Sequence, residues 1–453
     1  MRQLLIIYPH WPPSNLAGVH RARLVANYTA RHGWKSVVLA VHPEYYEETP
    51  DHDLLRTVSE DVEVIHVKAY PVPPIRFIGD IGIRSFPFLY RKALELIRNR
   101  QVDFVWIPIP SFYTALLGRM LRKKTGIPYG IDYIDPWVRD ISGRADWRHR
   151  LTNFLAWFLE PIAVKKAALI TGVSYDYYQP VLKRNFSGYQ WVDPNIHDSA
   201  EESIDLNVGM SEGPTRQPKH KRRLSVFHTS FPYGFDSEDH HIKLDHLEFP
   251  WKAGIKPWIY AGAFLPNSRL FVELLFKKIS SLRDQHKWPS DIELVFVGTG
   301  NYPGKTIRDY AEEYGLGSIV KENRQRYPFL EVLNFLSEAD TVMVIGSTEK
   351  HYTASKIYQS LLSKRPVWSI FHEESTALQV LSECKAQQYT VKYKAELSKE
   401  EVEHQIEETL LSRIASDTWE PDYSKLEKYS SAENTRKLLT AIEASINISH
   451  SRH

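Results

Sequence analysis

The chain carries one cysteine, Cys384, in 453 residues. A single thiol forms neither an intramolecular disulfide nor a zinc centre of several thiolates, so a disulfide-stapled scaffold is excluded and a reducing compartment is expected. Charge of one sign is also lacking: 57 Lys and Arg against 55 Asp and Glu leave a formal net charge of +2. That balance gives no global reason to expect nucleic acid as the main partner. No window approaches the roughly 20 apolar residues of a membrane-spanning helix. The opening run Leu4-Leu5-Ile6-Ile7-Tyr8 is short for a secretory signal and has no small-residue cleavage site after it, so it is read as a first β-strand.

What is present is an ordinary globular balance, 43% hydrophobic and 25% charged residues, enough to build sizeable cores. At about 150 residues per domain the length predicts three domains or two large ones. Short apolar runs alternate with segments of helical period, the pattern of βαβ units and parallel sheets. Strands are expected at Leu4 to Tyr8, Ser36 to Val41, Val62 to Val67, Phe104 to Ile107, Tyr129 to Tyr133 and Leu169 to Val173. A second series starts near Leu224, with strands at Ser225 to His228, Trp258 to Ala261, Glu293 to Val297, Ile319 to Glu322, Thr341 to Ile345 and Val367 to Ser369. The fold class is therefore α/β, with two Rossmann-like doubly wound domains facing across a cleft. The expected division is 1–190, a loop insertion or linker at 191–223, 224–423, and a C-terminal helix over 424–453 that returns to the first domain. Lys219-His220-Lys221-Arg222-Arg223 at the end of the linker is either a solvated run or a contact for an anionic lipid or phosphate.

Ligands of doubly wound sheets bind outside the C-terminal strand edges, so the chemistry is sought there. The loop after the first strand reaches Gly18 at a helix start, where free N–H groups suit a phosphate or polar acceptor. It is not a GxGxxG fingerprint, which counts against an ordinary NAD site. His20 and Arg21 either face the ligand or are solvated first-turn residues. Asp132-Tyr133-Ile134-Asp135-Pro136-Trp137 leaves a strand at the same edge. Carboxylates accept bonds from vicinal hydroxyls and an indole packs on a pyranose face; the alternative is that Asp135 caps a turn and Trp137 is core.

In the second half Tyr260-Ala261-Gly262 and Phe296-Val297-Gly298-Thr299-Gly300 end strands with small residues, where backbone can approach a ligand. Thr353-Ala354-Ser355-Lys356 opens a helix. A hydroxyl, an ammonium and the helix dipole together suit a diphosphate, although Ser355 can be only a cap and Lys356 only a surface charge.

These pieces in this order, with Thr171-Gly172-Val173-Ser174, Pro232-Tyr233-Gly234-Phe235-Asp236 and Pro366-Val367, resemble the GT-B glycosyltransferases of the family-4 type over nearly the whole chain. The resemblance implies a retaining hexosyl transfer from a nucleotide sugar, UDP- or GDP-linked, held by the second domain, to an acceptor held by the first. The acceptor would be a cell-envelope, lipid-linked or polysaccharide glycan. It implies no cofactor and no essential metal, a cytoplasmic location, and acceptor contacts at Gly18, His20, Asp132 and Trp137. Donor contacts would be Gly262, Gly298, Gly300, Ser355, Lys356, Gln359 and Glu349. Many relatives carry two glutamates with seven residues between them, where this chain has His351 and Gln359. Gln359 can still bond a ribose hydroxyl without the charge-assisted component, and Glu349 is a substitute for one of the pair.

Retaining transfer develops negative charge on the departing diphosphate, so Lys356 is the first catalytic candidate, Arg269 a second cation, and Asp135 a hydrogen-bond partner at the sugar or acceptor end. Two further readings stay open: an epimerase acting on the nucleotide sugar itself, and a non-catalytic sugar- or partner-binding relative. The segments Arg84 to Arg100 and Arg144 to Lys166 mix basic with large apolar residues. They either pack on the sheet or rest on an anionic membrane.

Overall fold

The structure is a computed structural model that describes residues 1–72, 80–139, 147–196, 225–348, 356–394, 396 and 398–450. The basic cluster at 219–223, and Glu349, His351 and Ser355, lie outside the described residues. The chain divides into two units: one of Met1–Glu48, Ser59–Tyr233 and Asn434–His453, the other of Thr49–Val58 and Gly234–Glu433.

In the first unit the chain runs β1 (Arg2–Ile7), α1 (Ala17–Tyr28), β2 (Trp34–Val41), β3 (Glu63–Val67), α2 (Ile81–Asn99), β4 (Phe104–Ile109), α3 (Ala115–Thr125), β5 (Tyr129–Tyr133), α4 (Trp147–Val164), β6 (Leu169–Gly172), α5 (Tyr175–Asn185), β7 (Gln190–Val192) and β8 (Ser225–Ser230). The strands form one sheet in the order β3-β2-β1-β4-β5-β6-β8-β7, with every pairing parallel. Leu4, Leu5, Ile6 and Ile7 are all fully buried, because helices cover both faces of a parallel sheet and its strands carry no solvent-facing side.

Two sequence expectations change here. The strand at Ser225–Ser230 pairs with β6 and extends the first sheet, so it does not open the second domain. Gln190–Val192, within the expected linker boundary, pairs with β8 as an edge strand. Three residues are too few for a periodic signal to show in sequence. Helix α2 begins at Ile81 because Asp80 caps it by accepting the Ile83 N–H at 3.0 Å. Buried Arg84 anchors its first turn to the Tyr70 carbonyl at 2.8 Å, so this segment takes the sheet-packing alternative.

The second unit continues with β9 (Lys256–Ala261), α6 (Arg269–Asp284), β10 (Ile292–Val297), α7 (Ile307–Glu313), β11 (Val320–Asn323), α8 (Phe329–Glu338), β12 (Thr341–Ile345), α9 (Lys356–Leu362), β13 (Val367–His372), α10 (Thr376–Glu383), β14 (Tyr389–Tyr393) and α11 (Lys399–Ala415). Its sheet order is β11-β10-β9-β12-β13-β14, again all parallel. The first six strands of the other sheet have the same order, so both units are Rossmann-type. Each reverses strand order once, at β1/β4 and at β9/β12, which opens a crevice beyond the strand ends. Helix α7 starts at Ile307, where Thr306 and Asp309 form a reciprocal capping box.

The short segment Thr49–Val58 counts with the second unit although it follows β2 in sequence. Asp51 there is buried and accepts the Phe329 N–H at the start of α8. The last helix, α12 (Ser431–His450), places Asn434 onward in the first unit. Asn434 donates to the Pro232 carbonyl at 3.1 Å, and Glu443 accepts from the Trp34 indole at 3.1 Å. Cys384 is buried, and burial above all pushes its thiol up to about 11. Among the described residues no helix is long and apolar enough to cross a membrane.

Candidate functional site

In the first unit, the ends of β1 and β5 and the start of α1 bring several expected residues together. Gly18 lies against the Tyr8 phenol so closely that a Cβ there would overlap its hydroxyl. The glycine is required by that packing.

Asp132 does not meet a ligand. It is fully buried and receives both arms of Arg21, Nε to Oδ2 and Nη2 to Oδ1, each at 2.9 Å. Thr171 Oγ1 adds a third bond at 2.6 Å. Arg21 also donates to the carbonyls of Phe231 at 2.8 Å and Pro232 at 2.7 Å, and lies over the Phe231 ring. Charge and lone pairs are satisfied within the fold, as a buried ion needs. The pair joins α1, β5, β6 and the end of β8, so neither Asp132 nor Arg21 is an acceptor contact.

Asp135, three residues further, is the contrasting carboxylate. It is half-buried, and desolvation raises its pKa against the opposing pull of Arg139. Its charge in turn contributes to raised phenol pKa values at Tyr8, Tyr177 and Tyr233, each shifted chiefly by burial. The Asp135 charge is thus felt at three phenols of the first unit, and its half-exposed carboxylate can accept hydrogen bonds from a polyhydroxyl ligand.

Trp137 takes the core alternative on one side. It is 5% exposed and stacks on Phe112, ring centres 5.8 Å apart and planes 9° apart. Its remaining edge lines a cleft of about 360 Å³ with Pro136, Arg139, Asp176, Tyr177 and Arg184. His20 is half-buried in the first turn of α1, its Nδ1 3.5 Å from Arg23.

Sequence reasoning missed the anchoring of the loop after β1. Glu48 accepts from His10 Nδ1 at 3.0 Å and from the Ser14 hydroxyl. Burial would raise the Glu48 carboxyl, but the His10 and Ser14 bonds outweigh it and hold the group down to about 2.

In the second unit, the ends of β9 and β10 and the start of α9 assemble Gly262, Gly298 and Lys356. Gly262 has φ 127°, and Lys356 runs directly over it: a Cβ on Gly262 would overlap the Lys356 ammonium. That ammonium sits 3.2 Å from the Tyr260 hydroxyl and 4.6 Å from the centre of its ring. Gly298, φ 71°, would bring a Cβ within 3.8 Å of the Gly262 backbone, so the two glycine turns are in contact. Bare glycine backbone and a cation at a strand edge are groups of the kind that bind an anion.

Gly300 and Arg269 belong to a neighbouring cluster. Arg324 Nε donates to the Gly300 carbonyl at 2.9 Å. Arg269 donates to the Pro303 carbonyl and its guanidinium covers Gly304. It lines a small cavity with Thr299, Gly300, Tyr302, Lys305 and Arg324.

Gln359 has a partner that sequence did not suggest. Its Oε1 accepts from His240 Nε2 at 2.7 Å. His240 is held down to about 4, first by burial, with the Gln359 bond opposing, so the imidazole is neutral. Its Nδ1 is buried with no hydrogen-bond partner among the described residues. The sequence holds one Asp-x-Asp spacing, Asp51-His52-Asp53, and its Asp51 is occupied in capping α8. Among the described residues no group of three or more His, Cys, Asp or Glu is arranged to hold a metal ion.

Two Rossmann-type units in one chain, each with its strand-order reversal and residues gathered at the strand ends, define the GT-B class of fold. Comparison with solved structures agrees. Over 98% of both chains this one is similar to a glycosyltransferase from Rickettsia africae ESF-5, at 13% identity and TM-score 0.56. It is similar to Anabaena HepE in complex with UDP and glucose at 11% identity and TM-score 0.53, over 98% of this chain and 100% of that one. A third neighbour is the N-terminal domain of a trehalose-6-phosphate phosphatase from Candida albicans, at 13% identity and TM-score 0.55, over 98% and 97%. At such identities the likeness is one of fold alone. No protein family and no curated protein matches the sequence.

Proposed function

We propose that this protein is a glycosyltransferase that takes its sugar from a nucleoside diphosphate. The observation that carries the reading is Lys356 laid over Gly262 beside Gly298, a cation and bare backbone at the C-terminal edge of the second sheet. That is where doubly wound sheets bind ligands. The UDP and glucose in the HepE neighbour give the donor class its support. When the bond between sugar C1 and the diphosphate oxygen breaks, negative charge collects on the leaving group, and the Lys356 ammonium stabilises it.

The finer reading has the acceptor hydroxyl bound at the first sheet's edge, with Asp135 accepting a hydrogen bond from it. The new bond forms on the face the diphosphate leaves, the acceptor's hydroxyl proton passing to the departing diphosphate oxygen, so configuration is retained. The donor is UDP- or GDP-linked, the acceptor a lipid-linked, cell-envelope or polysaccharide glycan, the location cytoplasmic, and no divalent metal is needed.

A thermal-shift series with nucleotide sugars, followed by assay of released nucleoside diphosphate, tests this. Lys356→Ala is expected to lower transfer by about a hundredfold or more with an unchanged melting temperature. Wild-type turnover in that variant removes the role. The Gln359–His240 bond supports a second reading, a sugar-binding relative without transfer; such a protein would shift in melting temperature with ligand yet release no diphosphate.

A further inference from the structure

Helix α4 presents large apolar side chains to solvent along its whole length. At 100° per residue, Trp147, Leu151, Phe154, Leu155, Phe158 and Ile162 share one face. Trp147 is 66% exposed, Phe154 64% and Phe158 59%, and Trp157 on the flank of this face is 62% exposed. The opposite face does the packing: Ala156, Glu160, Ala163 and Val164 are buried, and Ala156, Ala163 and Val164 belong to the first unit's core with Leu117 and Leu121 of α3. The helix therefore has one apolar side in the core and a second that is largely exposed. Scattered exposed apolar residues are ordinary, but seven on one helix form a contiguous patch of the kind that marks a binding surface.

The charges around the patch select its occupant. Arg150, Lys165 and Lys166 flank it and are exposed, as are Lys123 and Lys124 at the end of the adjoining α3. The only acidic residue of α4, Glu160, is buried and paired with Arg184 at 2.7 Å. In a two-fold pairing of copies the patch would meet itself, bringing these cations together with no exposed acid on α4 to match them. An anionic lipid surface supplies both the apolar layer and the opposite charge. Tryptophan and phenylalanine on one side with lysine and arginine at the margin is the composition of a helix lying in a bilayer interface.

We propose that the exposed face of α4 is a membrane-docking surface that lies in the plane of an anionic bilayer, its aromatic side chains at the headgroup–acyl boundary and its flanking lysines and arginines on the headgroups. This goes beyond the glycosyltransferase reading, and the test reads binding without activity.

The full-length protein is floated with vesicles of phosphatidylcholine mixed with phosphatidylglycerol and with vesicles of phosphatidylcholine alone. Wild type is expected to float with the anionic vesicles and to be released by high salt. Phe154→Ser combined with Phe158→Ser should lower the partition by about tenfold or more, with unchanged far-ultraviolet circular dichroism. Lys165→Glu combined with Lys166→Glu should lower it on anionic vesicles. A measurement needing no variant is quenching of wild-type tryptophan fluorescence by lipids brominated in their acyl chains, expected on anionic vesicles. No flotation at low salt, no quenching, or equal flotation of the Phe154→Ser/Phe158→Ser protein overturns the proposal. So does a wild-type dimer that ignores vesicles and becomes monomeric in that double variant, which would make a second copy the occupant.

Discussion

The Lys356 side chain occupies the space that a Cβ on Gly262 would fill, 94 residues earlier in the chain by numbering and joined to it only through the fold of the second unit. Glycine is needed at 262 twice over, for a φ of 127° and for the approach of the lysine. The lysine, held on the Tyr260 ring and hydroxyl, is thereby set at the strand edge.

Gly262→Ala is accordingly expected to destabilise the protein by more than about 1 kcal/mol and to displace Lys356. Urea unfolding measures the first effect. Loss of the thermal shift given by UDP or GDP measures the second. An alanine that leaves both unchanged would show that the lysine position does not depend on this glycine.

Asp132 and Asp135 should separate cleanly. Asp132→Asn leaves Arg21 buried without its counter-charge and is expected to cost about 3–5 kcal/mol of stability. Asp135→Asn removes a half-buried carboxylate that no ion pair holds among the described residues. Its unfolding midpoint should stay near wild type, while transfer falls by about tenfold or more through a lost acceptor bond. Paired denaturation curves and kinetics check both; a large stability loss in Asp135→Asn would make that residue structural as well.

His240 predicts a pH dependence. Its folded value of about 4 lies below the ordinary 6.5, so between those limits the unfolded chain binds the extra proton. Its contribution to stability is complete above the ordinary value and is lost as pH falls through that window. Wild type should therefore lose stability on acidification faster than His240→Gln. Gln359→Glu would set a carboxylate against the imidazole, favour its charged form and raise its pKa. Titration of the His240 imidazole resonances in both proteins is the direct measurement.

Glu48 behaves in the opposite sense. Its carboxyl is held at about 2, below the ordinary 4.5, by His10 and Ser14. The stability it contributes is present above the ordinary value and lost as pH falls toward about 2. The stability gap between wild type and Glu48→Gln should narrow across that acid range, as thermal melts at several pH values would show. A constant gap would mean that the His10 and Ser14 bonds do not favour the ionised form.

Much of the architecture was legible in the chain because parallel strands buried on both faces are short, unbroken apolar runs. Tyr129–Tyr133 and Thr341–Ile345 have the limits expected, and the repeated α/β alternation is enough to indicate two doubly wound units. Elements whose stability is not local were not legible. Gln190–Val192 is a strand only because Ser225–Ser230 lies beside it, and Ile81 starts a helix ahead of Pro87 because Asp80 caps it and Arg84 ties it down.

The same division runs through the site. Composition and period by themselves determined that small residues and a lysine would stand at the strand ends of the second sheet, and that two aspartates would leave β5. Only the tertiary structure decided which aspartate is spent on Arg21 and which stays half-exposed, and that Gln359 answers to His240. Those outcomes rest on burial and on partners up to more than a hundred positions away, and the cost of an unpaired buried charge, which makes the choice, exists only once the chain has closed around it.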